Sequence, residues 1–271
     1  MSWQIREMID AHAPRCAAQY RRVRDIIHFH RLPTYRIDGG FTITGDAGFD
    51  ESRTDSGERD RFKLEIRECD VLVDIGANIG YFSLLASAEG VPAIAVEPDQ
   101  RNVQLLLQNI RRNGCEKTIE VIPVALGDQP GILPLFGAGQ GASLVEGWGR
   151  IKGNYARSVP VITLDRLIGG RFDGQRLLIK MDVEGFELGV LRGAQQTLRR
   201  RPGPTWIVEN TLTANYADLN PHFAEVFEVF WALGYEARTT EGDLVTPHHL
   251  TDWMASRSVE SKDVNFLFRP G

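Results

Sequence analysis

From residue 71 onward, short apolar runs alternate with amphipathic helical stretches, and this alternation most restricts how the chain can fold. A strand at 71–73 precedes a helix over 81–88. A strand at 93–96 precedes a helix over 102–113, with Val103, Leu106, Leu107 and Ile110 on one face. A strand at 121–124 follows. Further on, a strand at 177–181 leads into a helix over about 186–199, and a strand at 206–208 into a helix over 223–233. YEA and VNFLFR close the pattern as two more strands. Strands separated by helices must cross over to parallel neighbours, so the expected fold is α/β, a doubly wound and mostly parallel Rossmann-like sheet. Residues 128–165 interrupt the alternation. GILPLF and VPVITLD read as extra strands, with the glycine-rich GAGQGASLVEGWGR between them.

The part before residue 66 reads differently. Residues 2–30 have helical spacing, with Ile5, Met8 and Ile9, then Tyr20, Val23, Ile26 and Ile27, on an apolar stripe. Arg21, Arg22, Arg24, His28, His30 and Arg31 make it locally basic, as a solvated face or a docking surface for an anionic substrate. TYRIDGGFTITGD reads as a hairpin around Gly39 and Gly40, and GFDESRTDSGERD as a loop leading into a short helix. The expected organisation is an N-terminal helix and β-hairpin over 1–65, forming a substrate-side cap, and a cofactor-binding domain over 66–271. A homo-oligomer through the N-terminal helix is a further expectation.

Bulk properties narrow the function. The formal net charge of −5 gives no support to a nucleic-acid partner. Cys16, Cys69 and Cys115 have neither metal spacing nor a disulfide pattern, which points to a reducing, cytoplasmic compartment. No run approaches the roughly 18 apolar residues of a membrane span, and MSWQIREMIDAH lacks the apolar core of a signal peptide.

The ligand signal lies in VLVDIGANIGYFS, a strand, a glycine turn and a helix start. Ligands of such sheets bind beyond the carboxyl ends of the strands. Gly76 and Gly80 let a ligand approach the backbone, and the helix N-terminus presents N–H groups. The spacing is Asp-x-Gly-x-x-x-Gly, with Asn78 where a dinucleotide fingerprint has its second glycine. Asp74 would repel a diphosphate and attract an amino or sulfonium group. The pattern therefore favours S-adenosyl-L-methionine. Glu97 ends the next strand, about 20 residues on, where an acid accepts from ribose hydroxyls. Ala125, Leu126 and Gly127 end the third strand beside an adenine, with Asp128 in reach of its amino group.

VDIGANIGYFS, VEPDQRNVQLLLQNIRRNG, VALGD, VITLD and IKMDVEGFELGVLRGA together closely resemble the FkbM family of S-adenosyl-L-methionine-dependent methyltransferases, over about residues 70–269. The resemblance implies the seven-stranded class I methyltransferase fold with an antiparallel last strand. It implies methyl transfer, usually to the oxygen of a sugar, glycoside or secondary-metabolite hydroxyl. By motif position, Asp74, Gly76, Ala77, Asn78, Gly80, Tyr81 and Phe82 would cradle the methionine part. Glu97 and Pro98 would hold the ribose, Ala125 and Leu126 would flank the adenine, and Asp182 would complete the cofactor site.

Lys180 and Asp182 are two apart and share a sheet face if the strand persists. Asp182 stands at a strand's carboxyl end, beside the cofactor. Glu184 and Glu187 enter the following helix at i and i+3, either as dipole-favouring first-turn acids or as functional ones. Asp182, Glu184, Glu209 and Lys180 form the candidate catalytic set. Asp182 with Glu209 and Asn210 resembles the Mg²⁺ or Ca²⁺ set of catechol- and some sugar-O-methyltransferases; the alternative is a plain general base, Glu209 or Glu184. His248 and His249, in an expected C-terminal loop, are a second candidate base. Trp148 is a candidate cover for a sugar ring. The acceptor is expected to be a small molecule bearing a hydroxyl. Transfer to nitrogen, a nicotinamide-dependent oxidoreductase and a catalytically silent binding module stay open as alternatives.

Overall fold

The computed structural model describes residues 32–45, 56–148, 156–213, 218–259 and 264–271. The expected N-terminal helix over 2–30, and the homo-oligomer drawn from it, lie outside these residues.

The first described element is the expected hairpin. β1 (Thr34–Arg36) pairs antiparallel with β2 (Thr42–Thr44), and the chain turns through Gly39 and Gly40, both near φ +80°. α1 (Ser56–Ile66) follows, and its Phe62 and Ile66 are buried in one core with Leu72, Leu84 and Leu267. The alternating region then runs β3 (Val71–Ile75), α2 (Tyr81–Ala88), β4 (Ala93–Val96), α3 (Gln100–Asn113) and β5 (Ile119–Ile122). After a detour through β6 (Ala125–Leu126), β7 (Gly131–Phe136), β8 (Ala156–Ile162) and α4 (Leu164–Ile168), the sheet resumes with β9 (Leu177–Met181) and α5 (Glu187–Arg192). It ends with β10 (Thr205–Glu209), α6 (Phe223–Trp231), β11 (Tyr235–Thr239), β12 (Leu244–Val245), α7 (Pro247–Ser256) and β13 (Asn265–Pro270).

The main sheet has the order β12-β11-β13-β10-β9-β3-β4-β5. β5, β4, β3, β9 and β10 are mutually parallel, while β13 runs antiparallel to both of its neighbours. This makes eight strands among the described residues rather than seven. The additional one is β12, which returns from β11 through a turn closed by Thr239 N–H donating to the Asp243 carbonyl (2.9 Å), with Gly242 at φ +106°. Period-2 alternation sends Val71, Val73 and Ile75 into the core layer shared with Ile179, Met181 and Trp206. Leu72 goes into the opposite layer with Leu178 and Ile207. Asp74 and Lys180 follow Leu72 and Leu178 on that second face, in register with each other.

Several boundaries differ from expectation. The strand expected at 121–124 ends at Ile122, because Pro123 has no N–H to continue a ladder. Ala125–Leu126 instead pairs with β8 in a separate three-stranded sheet, β6-β8-β7. α3 begins at Gln100, where the Asp99 carboxylate caps the N–H groups of Arg101 (2.7 Å) and Asn102 (3.2 Å). Its buried face is Asn102, Leu105, Leu106, Asn109 and Ile110, rotated from the expected stripe. Asn109 and Asn113 explain the rotation. Each side-chain amide accepts from and donates to the backbone of β2, at Thr44 (2.7 and 3.0 Å) and Thr42 (2.8 and 2.7 Å). Two helix asparagines thus act as the missing strand partner of the hairpin. The helix expected over 186–199 is split into α5, which stops at Arg192, and a 3-10 turn at Thr197–Arg199; between them Gly193 packs so close to the Gly127 carbonyl that a Cβ would come 2.0 Å from its oxygen.

Candidate active site

A cleft opens at the carboxyl ends of β3, β4 and β9, the place where sheets of this kind bind ligands. One bank carries Gly76, Asn78, Glu97, Pro98 and Asn102. The other carries Asp182, Val183, Glu184 and Phe186. Val124, Ala125, Leu126, Leu135, Ala142 and Leu144 supply an apolar floor and roof.

The glycine turn has a structural reason that differs from the expected one. A Cβ on Gly76, at φ +80°, would lie 1.7 Å from the Asp182 carbonyl oxygen. The residue is glycine because the ends of β3 and β9 touch there. Gly80 (φ +95°) similarly makes room for Leu106 of α3, whose Cδ1 would stand 2.5 Å from a Cβ at that position. The N–H groups of Gly76 and Ala77 donate to the Val96 carbonyl (2.9 and 3.0 Å), and that of Gly80 to Ala77 (2.8 Å). The N–H groups of Gly76, Ala77, Asn78 and Gly80 are thus engaged within the protein.

Glu97 is the polar centre of its bank. Its Oε2 accepts from the Asn78 N–H (2.8 Å), and its Oε1 accepts from the Asp99 N–H (2.8 Å) and Asn102 Nδ2 (3.2 Å). A carboxylate offers about four acceptor positions. One position on Oε2 has no donor among the described residues. Burial pushes the carboxyl up to about 7 despite these hydrogen bonds. The Asn78 Oδ1 is buried with no partner among the described residues, a second acceptor on the cleft wall.

On the opposite bank, Glu184 does not enter the helix. It stands in the turn before α5 with φ +54°, a left-handed conformation uncommon outside glycine. Burial, reinforced by the neighbouring Asp182 charge, raises it to about 7. Glu187 does open α5, but it is buried and accepts from the Gly185 N–H (2.9 Å), and burial raises it to about 7.

Behind the cleft lies a buried charge cluster. Lys180 Nζ is 2.8 Å from Glu58 of α1 and sits 5.3 Å from the Phe82 ring centre. Burial works against the ammonium, but the carboxylates of Glu58, Asp182 and Glu209 outweigh it and hold the amine charged. Burial, then the Asp182 charge, raises Glu209 well above the ordinary carboxylate range. Asp74 accepts from Ser83 Oγ (2.6 Å), and burial raises it to about 6.

Of the expected cofactor residues, Gly76, Asn78, Glu97, Pro98, Ala125, Leu126 and Asp182 line the cleft. Asp74, Ala77, Gly80, Tyr81 and Phe82 do not. Asp74 is buried behind the wall, and the Tyr81 and Phe82 rings meet edge-on, with Phe82 also against Phe62. The expected metal set is not assembled. Asn210 is buried, its Nδ2 donating to the Phe223 carbonyl (3.0 Å). The positive charge beside Asp182 and Glu209 comes from Lys180. Among the described residues no group of three His, Cys, Asp or Glu side chains is placed to hold a metal. The expected histidine loop is helical: His249 Nδ1 accepts from the Thr246 N–H (3.0 Å) at the start of α7, and His248 is exposed near Asp252. Asp128 is exposed and does not line the cleft. Trp148 is buried against Gly185 rather than open to a sugar.

Sequence reasoning missed Asn102, which lines the cleft, orients Glu97 and donates to the Gly139 carbonyl (3.1 Å). Its signal was available: Asn102, Leu106 and Asn109 follow helical spacing, so a polar side chain falls on a buried stripe. Leu135, Ala142 and Leu144 had no such signal, because they reach the cleft only through the second sheet.

No curated protein matches the chain. Among solved structures it is similar to an FkbM methyltransferase from Methylobacillus flagellatus (20% identity, TM-score 0.45), over 74% of this chain and 44% of that one. It therefore spans less than half the length of that relative. It is also similar to an O-methyltransferase from Bacillus cereus in complex with SAH (13% identity, TM-score 0.46), over 98% and 96% of the two chains. A third likeness is to precorrin-6y C5,15-methyltransferase from Geobacter metallireducens (14% identity, TM-score 0.43), over 71% and 78%. Likenesses at this level say nothing of activity. The family model for the methyltransferase FkbM domain matches residues 74–237, more than half of the chain. This chain belongs to the FkbM methyltransferase family.

Proposed function

We propose that the protein is an S-adenosyl-L-methionine-dependent methyltransferase that acts on a hydroxyl of a small molecule, a sugar, glycoside or secondary metabolite. The observation that carries this reading is the pairing, in one cleft, of Glu97 with a spare acceptor position and Glu184 on the opposite bank. The residues fit the cofactor. Glu97 and the unpartnered Asn78 Oδ1 suit hydroxyl or amino donors, and Ala125, Leu126 and Leu135 suit an aromatic base. When bound, the cofactor supplies an electrophilic methyl group on a sulfonium.

Glu184 is the base we favour. It faces the cleft, and a carboxyl raised to about 7 is matched to taking a proton near neutral pH. Lys180 does not serve as a base, since its charge is held by buried carboxylates. It balances Asp182 and Glu209. We place acceptor selection in residues 1–65, as a cap, and in 137–157. A cytoplasmic location is also our proposal, resting on the free thiols of Cys69 and Cys115. Among the described residues no helix is long and apolar enough to cross a membrane.

Calorimetry tests the cofactor: S-adenosylhomocysteine should bind and NAD should not. Labelled methyl transfer to a panel of sugars, nucleotide sugars and metabolite hydroxyls, with and without EDTA, tests the reaction. Transfer to a hydroxyl that EDTA leaves intact is the expected result. Binding of NAD alone would overturn the reading.

A further inference from the structure

Glu184 is gripped by the connection between β7 and β8. Trp148 Nε1 donates to Glu184 Oε2 (3.0 Å), and Ser143 Oγ donates to the Glu184 carbonyl (2.6 Å). Ser143 is itself fixed, since its Oγ accepts from the Val145 N–H (2.9 Å). Gly185, at φ +93°, provides the seat: a Cβ there would lie 2.3–2.6 Å from three atoms of the Trp148 ring. Trp148 is 8% exposed, so its hydrogen bond is shielded from competing water. An indole donates and cannot accept. It therefore fixes a carboxylate without exchanging a proton with it. Among the described residues no donor reaches Oε1, the other oxygen.

We infer that Trp148 is a positioning residue, which holds the Glu184 carboxylate so that Oε1 meets the acceptor hydroxyl. The inference rests on the proposed methyl transfer. In that step the acceptor oxygen forms the new bond to the methyl carbon and its proton passes to Oε1. The carbon–sulfur bond breaks with its electron pair going to sulfur, which leaves S-adenosylhomocysteine. The charged neighbours of Glu184 are Asp182, Lys180, Glu187 and Glu209. All lie on β9, α5 or β10 or in the turn between β9 and α5, whereas the grip on Oε2 comes from the connection between β7 and β8.

With the acceptor identified by the panel, steady-state kinetics on Trp148→Phe, Glu184→Gln and the double variant test the inference. Phenylalanine keeps an aromatic ring beside Gly185 while it removes the donor and part of the indole's bulk, and the double variant separates the two losses. Trp148→Phe should lower kcat about tenfold or more, with the KM for S-adenosyl-L-methionine and the Kd for S-adenosylhomocysteine within about twofold of wild type. The double variant should be no slower than Glu184→Gln, because the two residues act as one unit. Unchanged kcat in Trp148→Phe, or losses that multiply, would overturn it. A second measurement needs no acceptor and no altered tryptophan. In ¹⁵N-labelled protein, Glu184→Gln should displace one of the five tryptophan indole N–H resonances strongly, and if none moves the inference fails. Wild type that binds no S-adenosylhomocysteine would defeat the proposed function instead, and the indole measurement does not depend on it.

Discussion

At the scale of single residues, Gly76 and Glu97 carry opposite kinds of constraint. Gly76 sits where two strand ends meet, with no space for a side chain and φ +80°. Gly76→Ala therefore combines backbone strain with a clash against a carbonyl that cannot rotate away. We expect the variant to lose several kcal/mol of stability, ~3 or more, and thermal denaturation should show its transition shifted well below wild type or absent. Glu97 is constrained by its partners. At pH 8, above the value of about 7 to which burial raises this carboxyl, Glu97→Gln keeps the shape but replaces a charged acceptor, and a hydrogen bond to a charged group is worth about 1.5–3 kcal/mol. Calorimetry should report S-adenosylhomocysteine binding weaker by about 10- to 100-fold. An affinity equal to wild type would remove Glu97 from the ribose site.

Among elements, α1 and β9 are joined by the buried Lys180–Glu58 pair, 2.8 Å apart. Removing one member of a buried pair strands the other, at a cost of about 3–5 kcal/mol. Lys180→Met strands Glu58 and leaves Asp182 and Glu209 without a counter-charge. Chemical denaturation should find Lys180→Met strongly destabilised and Lys180→Met with Glu58→Gln less so. If the double variant is the less stable of the two, the pair is not the tie between these elements. This pair escapes sequence reading because Glu58 and Lys180 are 122 positions apart (180 − 58) and adjacent only in the fold.

Across the whole molecule, the buried acids set how stability depends on pH. Burial raises Asp74 to about 6 from 3.8, and Glu97, Glu184 and Glu187 to about 7 from 4.5. The native state therefore holds protons that the unfolded chain has released between these values. By linkage, stability falls as pH rises from about 4 to about 7, and the contribution is lost above the native pKa values. The ligand-free protein should show a higher denaturant midpoint at pH 5 than at pH 8. Equal midpoints, or a higher one at pH 8, would mean that these carboxyls are better solvated than their positions imply.

The sequence by itself determined the alternating α/β order, the strands at 93–96 and 177–181, the hairpin at Gly39–Gly40 and the family. Hydrophobic period and turn chemistry are local properties, written in consecutive residues. It also named Glu97, Asn78 and Asp182 as cleft residues, because strand ends can be located from the same period. What only the tertiary structure decided was which side chains face the cleft and which face the protein. Asp74, Tyr81 and Phe82 stand in the motif yet point into packing, Asn210 holds a carbonyl rather than an ion, and Trp148 reaches Glu184, 36 positions away in sequence. Those outcomes depend on contacts between distant segments, and the burial and hydrogen bonds that fix them have no signature in either segment alone.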